Sequence, residues 1–392
     1  MLRAFRYRLY PDKAQIELIN KHIGACRFIY NLSLETKQMA YAGNKIKLSV
    51  FDLLNQLPDL KKELVWLKEI DSQALQQSII NLDKAFTQFF KGNSKYPNFK
   101  RKSKGRQSFR NPHGERTYIE NNKLYQPKFL NGIKLVIDRE FLGIIKNTTI
   151  SKTPTGKYFV SVLVDTGIPI PKKAIINEQT AIGIDLGIKS LVVISNGLKI
   201  DNPKPLKHKL SHLKFLQRQV SKKKKESMNR KKAVQKLALQ HEKITNSRKD
   251  FLHKLSTQLV KNHDTLCLED LNISGMLQNQ NLAQSISDSG WDLFVRMCKY
   301  KAEWNGKNFL QIPTFEPSTK ICSICGATNH NLTLADREWF CVNCGTLHDR
   351  DINAAINIKN YCLRIAVGDT VKKSVELPTL AGAMKQKVIT TN

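Results

Sequence analysis

Four cysteines restrict what this chain can fold into more than any other feature. Cys322-x2-Cys325 is followed by fifteen residues and then by Cys341-x2-Cys344. Each CxxC bends into a knuckle that presents two thiolates, and two knuckles complete a tetrahedral site for Zn2+ with no position left open for catalysis. Gly326 and Gly345, one residue past each knuckle, suit the tight turns the motif requires. The spacing therefore predicts a small zinc ribbon around one structural ion. It would hold the loop 327–340, with Arg337, Trp339 and Phe340, against a partner such as nucleic acid, or serve as scaffolding alone. The other cysteines, Cys26, Cys267, Cys298 and Cys362, are scattered, which favours reduced thiols over a disulfide framework.

Charge narrows the class of partner. The chain of 392 residues carries 64 Lys and Arg against 33 Asp and Glu, a formal net charge of +31. Such a surface repels itself unless a polyanion neutralises it, and nucleic acid does so by releasing counterions. No run of about 18 apolar residues offers a membrane span, and the start MLRAFRYRLYPDK lacks a signal-peptide core. A cytoplasmic, nucleoid-associated protein with no membrane partner is expected.

Along the chain, residues 4–10 alternate as a strand ending at Pro11, and helical spacing follows to about residue 90. The block 91–116 is a basic loop with nine Lys or Arg and one acid. Short β-like runs fill 117–165, and the proline-bearing segment 166–179 reads as a linker. AIGIDLGIKSLVVIS predicts a buried strand, a Gly turn and a second strand. Residues 204–254 hold seventeen Lys or Arg and three acids on two amphipathic helices broken around KKKKESMNR, a phosphate-tracking pattern. TLCLE predicts another short strand, and NAAINIKNY a last helix over 353–361.

Three acids stand in unusual settings. Asp185 lies within the apolar run AIGIDLGI, where a buried charge needs a metal or a partner. Glu269 ends an apolar strand, and Asp351 directly precedes a helix, with Asp349 two residues earlier. This is the layout of an RNase H-like nuclease, whose carboxylates hold two divalent cations. Each acid has a plainer reading. Asp185 also suits a turn or a sugar-kinase phosphate loop, Glu269 a strand end, and Asp351 a helix N-cap, while Asp349 competes with it as a metal ligand.

Taken together, GIDLGIK, FLHKLST, LEDLNI, SISDSGW, the paired CxxC motifs and HDRDINAAINI resemble the TnpB family. These are transposon-encoded RNA-guided nucleases related to type V CRISPR effectors. The resemblance runs from Arg6 to about Lys359. It implies an α/β multidomain protein: a RuvC-type RNase H-like core with an inserted four-cysteine zinc ribbon, an N-terminal wedge β-barrel and a helical recognition lobe. The implied division is 1–10 and 96–170 for the wedge barrel, with 11–95 as the recognition lobe. The nuclease core takes 171–319 and 348–365, the ribbon 320–347, and a tail expected to be disordered 366–392.

By motif, the resemblance assigns catalysis to Asp185, Glu269 and Asp351 on two Mg2+ ions. It implies a guide RNA from the transposon and a target DNA bearing a short flanking motif, with the protein a monomer in the ribonucleoprotein. Nucleic-acid contacts are expected at Arg6, Arg27, Tyr30, Asn31, Tyr96, Phe99, Lys100, Arg101, Lys102, Lys222, Lys223, Arg230 and Lys231. Tyr96, Phe99 and Phe109 suit stacking on unpaired bases or a local core. Two other functions stay open: a transposase acting directly on transposon ends, and a nuclease-silent RNA-guided regulator.

Overall fold

The computed structural model describes residues 1–103, 105–112, 114–313, 318–333 and 335–368. It falls into two units, Met1–Pro169 with Lys223–Leu239, and Ile170–Lys222 with the chain from Gln240 onward.

In the first unit, strand β1 (Leu2–Tyr10) stops at Pro11, and Asp12 starts helix α1 (Lys13–Asn44). The Asp12 carboxylate accepts the Gln15 N–H at 2.8 Å, and the Gln15 side chain accepts the Asp12 N–H at 3.1 Å. Two orphan donors of the helix start are thus satisfied reciprocally. Helices α2 (Val50–Asn55), α3 (Leu57–Glu63) and α4 (Ser72–Phe90) follow. Six more strands then form: β2 (Gln107–Asn111), β3 (Tyr118–Glu120), β4 (Lys123–Gln126), β5 (Phe129–Val136), β6 (Ile144–Lys152) and β7 (Tyr158–Asp165). They join β1 in an antiparallel sheet of order β2-β6-β7-β1-β5-β4-β3.

The first strand of the chain lies inside this sheet, paired with β7 from Leu2↔Asp165 to Leu9↔Tyr158. Among the described residues no ladder joins β2 to β3, so the pairing leaves two edges where a barrel was expected to close. One apolar core takes Tyr7 and Leu9 from β1, Ile19 and Ile23 from α1, Leu75 and Ile79 from α4, and Val160 and Val162 from β7. The helices expected as a lobe thus share their core with the sheet. Phe109 also belongs to that core, 4% exposed, so its ring is packing and not a stacking platform.

The second unit is built on a five-stranded sheet. Its strands are β8 (Ala181–Leu186), β9 (Ser190–Ile194), β10 (Lys199–Asp201), β11 (Thr265–Glu269) and β12 (Asn308–Ile312), in the order β10-β9-β8-β11-β12. β8, β11 and β12 run parallel, and β9 pairs antiparallel with both β8 and β10, so β10 runs in the direction of β8. Between β10 and β11 lie the basic helices α5 (Pro205–Ser221) and α6 (Met228–Asn262), of which residues from Gln240 belong to this unit. Between β11 and β12 come α7 (Ile273–Met276), α8 (Gln280–Ser289) and α9 (Trp291–Trp304). Leu252, Leu255 and Leu259 of α6, with Trp291 and Phe294 of α9, cover the sheet's Ile182, Ile184, Leu266 and Leu268.

A short hairpin, β13 (Glu338–Phe340) and β14 (Leu347–Asp349), belongs to the cysteine module, and helix α10 (Arg350–Gly368) follows at once. This helix is longer at both ends than the apolar pattern indicates. It packs directly on β8, because Gly183 has no side chain. A Cβ there would lie 1.8 Å from the Ala355 carbonyl oxygen. The tail, beyond Gly368, lies outside the described residues.

Candidate active site and metal-binding ribbon

The sheet register brings two of the three acids together. β8 and β11 pair in parallel up to Ile184↔Leu268, so one residue further along both strands Asp185 stands beside Glu269. Neighbours on adjacent strands are about 4.8 Å apart and point to the same face. That face is the one α10 covers, since Gly183 and Asp185 are two apart on a strand and project alike. Asp351 is one helical turn before Ala355, which meets Gly183, so it projects toward the same end of the sheet.

Electrostatics register the convergence. Burial, then the negative charges of Glu269 and Asp351, push the Asp185 carboxyl up to about 7, while Arg350 opposes them. Burial also raises Glu269, against a hydrogen bond donated by the Ser318 hydroxyl. Asp351 is flanked by guanidinium groups, with Arg350 Nη2 at 3.3 Å and Arg337 Nη1 at 3.5 Å. Carboxylates crowded in this way have raised proton affinity unless a cation compensates them. Two acids and a third from a facing helix, all oxygen donors, are a set suited to hard divalent ions.

The structure also separates Asp349 from Asp351. Asp349 Oδ1 accepts the N–H groups of Asp351 at 3.2 Å and Ile352 at 3.1 Å, and its other oxygen meets Lys199 Nζ at 2.5 Å. Burial pushes the Asp349 carboxyl upward, but Lys199 and these N–H groups hold it below its ordinary value. Asp349 is therefore the capping residue of α10, and Asp351, inside the first turn, has its carboxylate free of that duty.

The four cysteines form one cluster, with all four sulfur atoms within 4.8 Å of one another. Cys322 Sγ is 3.7 Å from Cys344 Sγ, and Cys325 Sγ is 3.5 Å from Cys341 Sγ, far beyond a disulfide bond. The knuckles repeat: Gly326 N–H donates to the Cys322 carbonyl, and Gly345 N–H to that of Cys341. Both glycines have positive φ, +76° and +67°. Four sulfur atoms gathered in this way fit the tetrahedral all-thiolate site of a zinc ribbon. Trp339, 6% exposed, packs inside the ribbon against His348, whose Nε2 lies 3.0 Å from Cys322 Sγ. Of the loop residues singled out by sequence, Trp339 is thus ribbon core, Phe340 is 66% exposed, and Arg337 pairs with Asp351.

The expected nucleic-acid contacts divide similarly. Tyr30 is buried, 6% exposed, with the Lys100 ammonium 3.7 Å from its ring centre, so it supports a cation and presents no face for stacking. Asn31 grips the Lys100 backbone, its amide donating to the carbonyl at 2.9 Å and accepting the N–H at 2.8 Å. Tyr96 meets Phe86 and Phe89 edge-on yet stays 42% exposed, and Phe99 is 47% exposed. Arg27 donates to Gln107 at 3.1 Å and, with Lys100, Arg101, Arg106 and Arg110, lines a cavity of about 400 Å³. Arg110 Nε is buried there without a partner. Arg6 lies over Phe159, 3.9 Å from the ring centre, and Arg230 donates to the Lys223 carbonyl at 3.1 Å. Lys102, Lys222 and Lys231 are exposed. No described helix is long and apolar enough to cross a membrane.

Sequence reasoning missed Ser318, Arg350 and His348. A lone Ser carries no signal, whereas the run HDRD does place an Arg and a His beside the acid.

Three families match parts of the chain. One described as "Probable transposase" covers residues 160–280, one described as "Cas12f1-like, TNB domain" covers 291–358, and one described as "Helix-turn-helix domain" covers 1–45. In the structure 1–45 hold β1 and the single helix α1, so that last description names no motif present here. A "Putative RNA-guided DNA endonuclease" of Streptomyces pristinaespiralis is 40% identical over 380 residues, covering 95% of this chain and 93% of the relative. The "Putative RNA-guided DNA endonuclease InsQ" of Escherichia coli K12 is 30% identical over 404 residues, covering 98% and 97%. Among solved structures, one titled "Cryo-EM structure of the Cas12f1-sgRNA-target DNA complex" shares the fold, with a TM-score of 0.58 at 15% identity over 89% of this chain and 83% of that one. With relatives this similar over nearly its whole length, the chain belongs to the TnpB family.

Proposed function

We propose that the chain is an RNA-guided DNA endonuclease of a transposon. The observation that carries the proposal is the placement of Asp185 beside Glu269 and within electrostatic reach of Asp351, at one end of an RNase H-like sheet. Asp185, Glu269 and Asp351 would hold two Mg2+ ions, and Cys322, Cys325, Cys341 and Cys344 would hold one Zn2+. Held there, Mg2+ would supply activation of a water and stabilisation of the leaving oxygen of a phosphodiester. The chain's own residues supply the rest. Asp349 caps α10 and so fixes the angle from which Asp351 approaches. Arg337 and Arg350 hold Asp351 on its outer side. The four-thiolate site is closed and does structural work, keeping Arg337 near the acids.

Guide RNA and target DNA are the partners, and the basic surfaces meet their backbones without reading sequence. Arg27, Lys100, Arg101, Arg106 and Arg110 suit phosphate contact in the first unit, as do the lysines of α5 and α6. The names of the relatives agree with this reading.

The test is cleavage of matched DNA by the protein purified with its copurifying RNA, in Mg2+. Asp185→Ala abolishes cleavage and leaves RNA binding unchanged. Cutting by that variant at the wild-type rate overturns the metal site. The family described as "Probable transposase" favours one other reading, a transposase acting directly on transposon ends. It requires end processing by protein stripped of RNA, which the guided reading forbids.

A further inference from the structure

The carboxylate of Glu269 is held differently from that of Asp351. Asp351 has two arginines, whereas among the described residues Glu269 receives one hydrogen bond, from the Ser318 hydroxyl. Ser318 belongs to the segment 318–323, which carries Ser318 near its start and Cys322, the first thiolate, near its end. Two amides of α10 grip that segment. Asn357 Nδ2 donates to the Ser318 carbonyl at 2.7 Å and to the Ile321 carbonyl at 2.6 Å. Asn353, 1% exposed, donates from Nδ2 to the Ile321 carbonyl at 2.7 Å and accepts the Ser323 N–H on Oδ1 at 2.9 Å.

Asn353 and Asn357 are four apart, on one side of the helix whose first turn bears Asp351. Asn353 is buried and uses both ends of its amide, and Asn357 adds two donated bonds, so the connection is stiff, because leaving a buried bond unmade costs the desolvation of its group. The consequence is a chain of contacts from the first knuckle, through 318–321, to the oxygen of Glu269. It starts from the same helix that delivers Asp351. A glutamate side chain has three torsions that place its oxygens, and among the described residues the Ser318 bond is the one hydrogen bond that restrains them.

We propose that Ser318 is a positioning residue for Glu269, and that Asn353 and Asn357 hold Ser318 in place. The cysteine ribbon's entry segment and the metal-holding carboxylates are thereby one mechanical unit. This rests on the reading of Glu269 as a ligand of a divalent ion. Groups that orient a ligand's donor atom are worth about 10- to 100-fold in metal affinity or activity.

The experiment compares Ser318→Thr with Ser318→Val in the ribonucleoprotein, two side chains of the same shape that differ in the hydroxyl. Site occupancy is read by Fe2+ and ascorbate, which cut the polypeptide next to bound iron, and turnover by DNA cleavage across a Mg2+ titration. Ser318→Val raises the Fe2+ needed for half-maximal cutting near Asp185 and Glu269 about tenfold, and moves the Mg2+ activation curve equally. Ser318→Thr restores both, and melting temperatures stay alike. Asn357→Ala shifts the curves in the same direction by less. If Ser318→Val matches wild type in both curves while Glu269→Ala loses local cutting, the positioning role is wrong and the metal site stands. If Glu269→Ala itself keeps local cutting and DNA cleavage, the metal-site reading fails and takes this proposal with it.

Discussion

The ribbon and the carboxylate cluster adjoin each other, yet they are assembled by opposite means. The four thiols come from two turns only fifteen residues apart, and their sulfurs already lie within 4.8 Å of one another. The three carboxylates come from two strands and a helix spread between residues 185 and 351, and they oppose one another's charge. Local turns set the first site, while a sheet register and a glycine-sized gap against a helix set the second. A cluster of thiols is made costly to lose by the folding energy of its metal. A cluster of carboxylates is costly to keep, and its retention signals function in place of stability.

The sharpest way to break this contrast is to remove one carboxylate. Glu269→Gln or Asp351→Asn is expected to lower DNA cleavage by on the order of 10³-fold, with target binding by the ribonucleoprotein unchanged in a gel-shift assay. A loss of binding equal to the loss of cleavage would make these residues structural.

Next in size is the ribbon. Cys341→Ser should take bound zinc from about one ion per chain to a small fraction of that by elemental analysis, with a lower melting temperature. Asp185→Asn is the opposite case and should raise the melting temperature in EDTA. An unchanged melting temperature in both variants would erase the distinction between the two sites.

The pH dependence sharpens it further. Asp185 is raised to about 7 in the folded chain, so between its ordinary range and 7 the folded state holds the proton more tightly than the unfolded state. Stability from this group is complete at low pH and is lost as pH rises toward 7. In EDTA, the melting-temperature gain of Asp185→Asn should therefore be smaller at pH 5, just above the ordinary carboxylate range, and grow to its full size above pH 7. A gain that is the same at both pH values contradicts the crowding of charge at this site.

The smallest effect belongs to the cap. Asp349→Ala removes two hydrogen bonds at the start of α10 and the Lys199 pair, costing about 1 kcal/mol of stability in chemical denaturation. Cleavage should fall much less than for Asp351→Asn, and an equal fall would make Asp349 the ligand.

The Asp349 and Asp351 pair shows where sequence reading stops. Both acids precede an apolar helix pattern, and either suits the cap or the ligand. Only the start of α10 at Arg350 and the two N–H groups on Asp349 give the cap to Asp349, which leaves Asp351 as the proposed ligand. Tyr30 and Phe109 show the same limit for aromatics among basic residues. Phe109 stands beside Arg110 and Tyr30 lies three residues after Arg27, yet each turns inward, because alternate strand positions and one helix face are buried whatever their neighbours carry. Ser318 gave no signal at all, since its role exists only where a distant strand end meets it.

By itself the sequence determined what local chemistry dictates. That covers the thiolate knuckles with their positive-φ glycines, the strand-turn-strand around Asp185, and the excess of positive charge. The tertiary structure decided how the remaining residues are placed: Asp185 beside Glu269 by parallel register, Asp351 within electrostatic reach of Asp185 through the packing of α10 on Gly183, and Glu269 against Ser318. Knuckles are fixed by residues a few positions apart, whose interaction the spacing encodes. Contacts between distant segments depend on the burial of whole strands and helices, which no short pattern records.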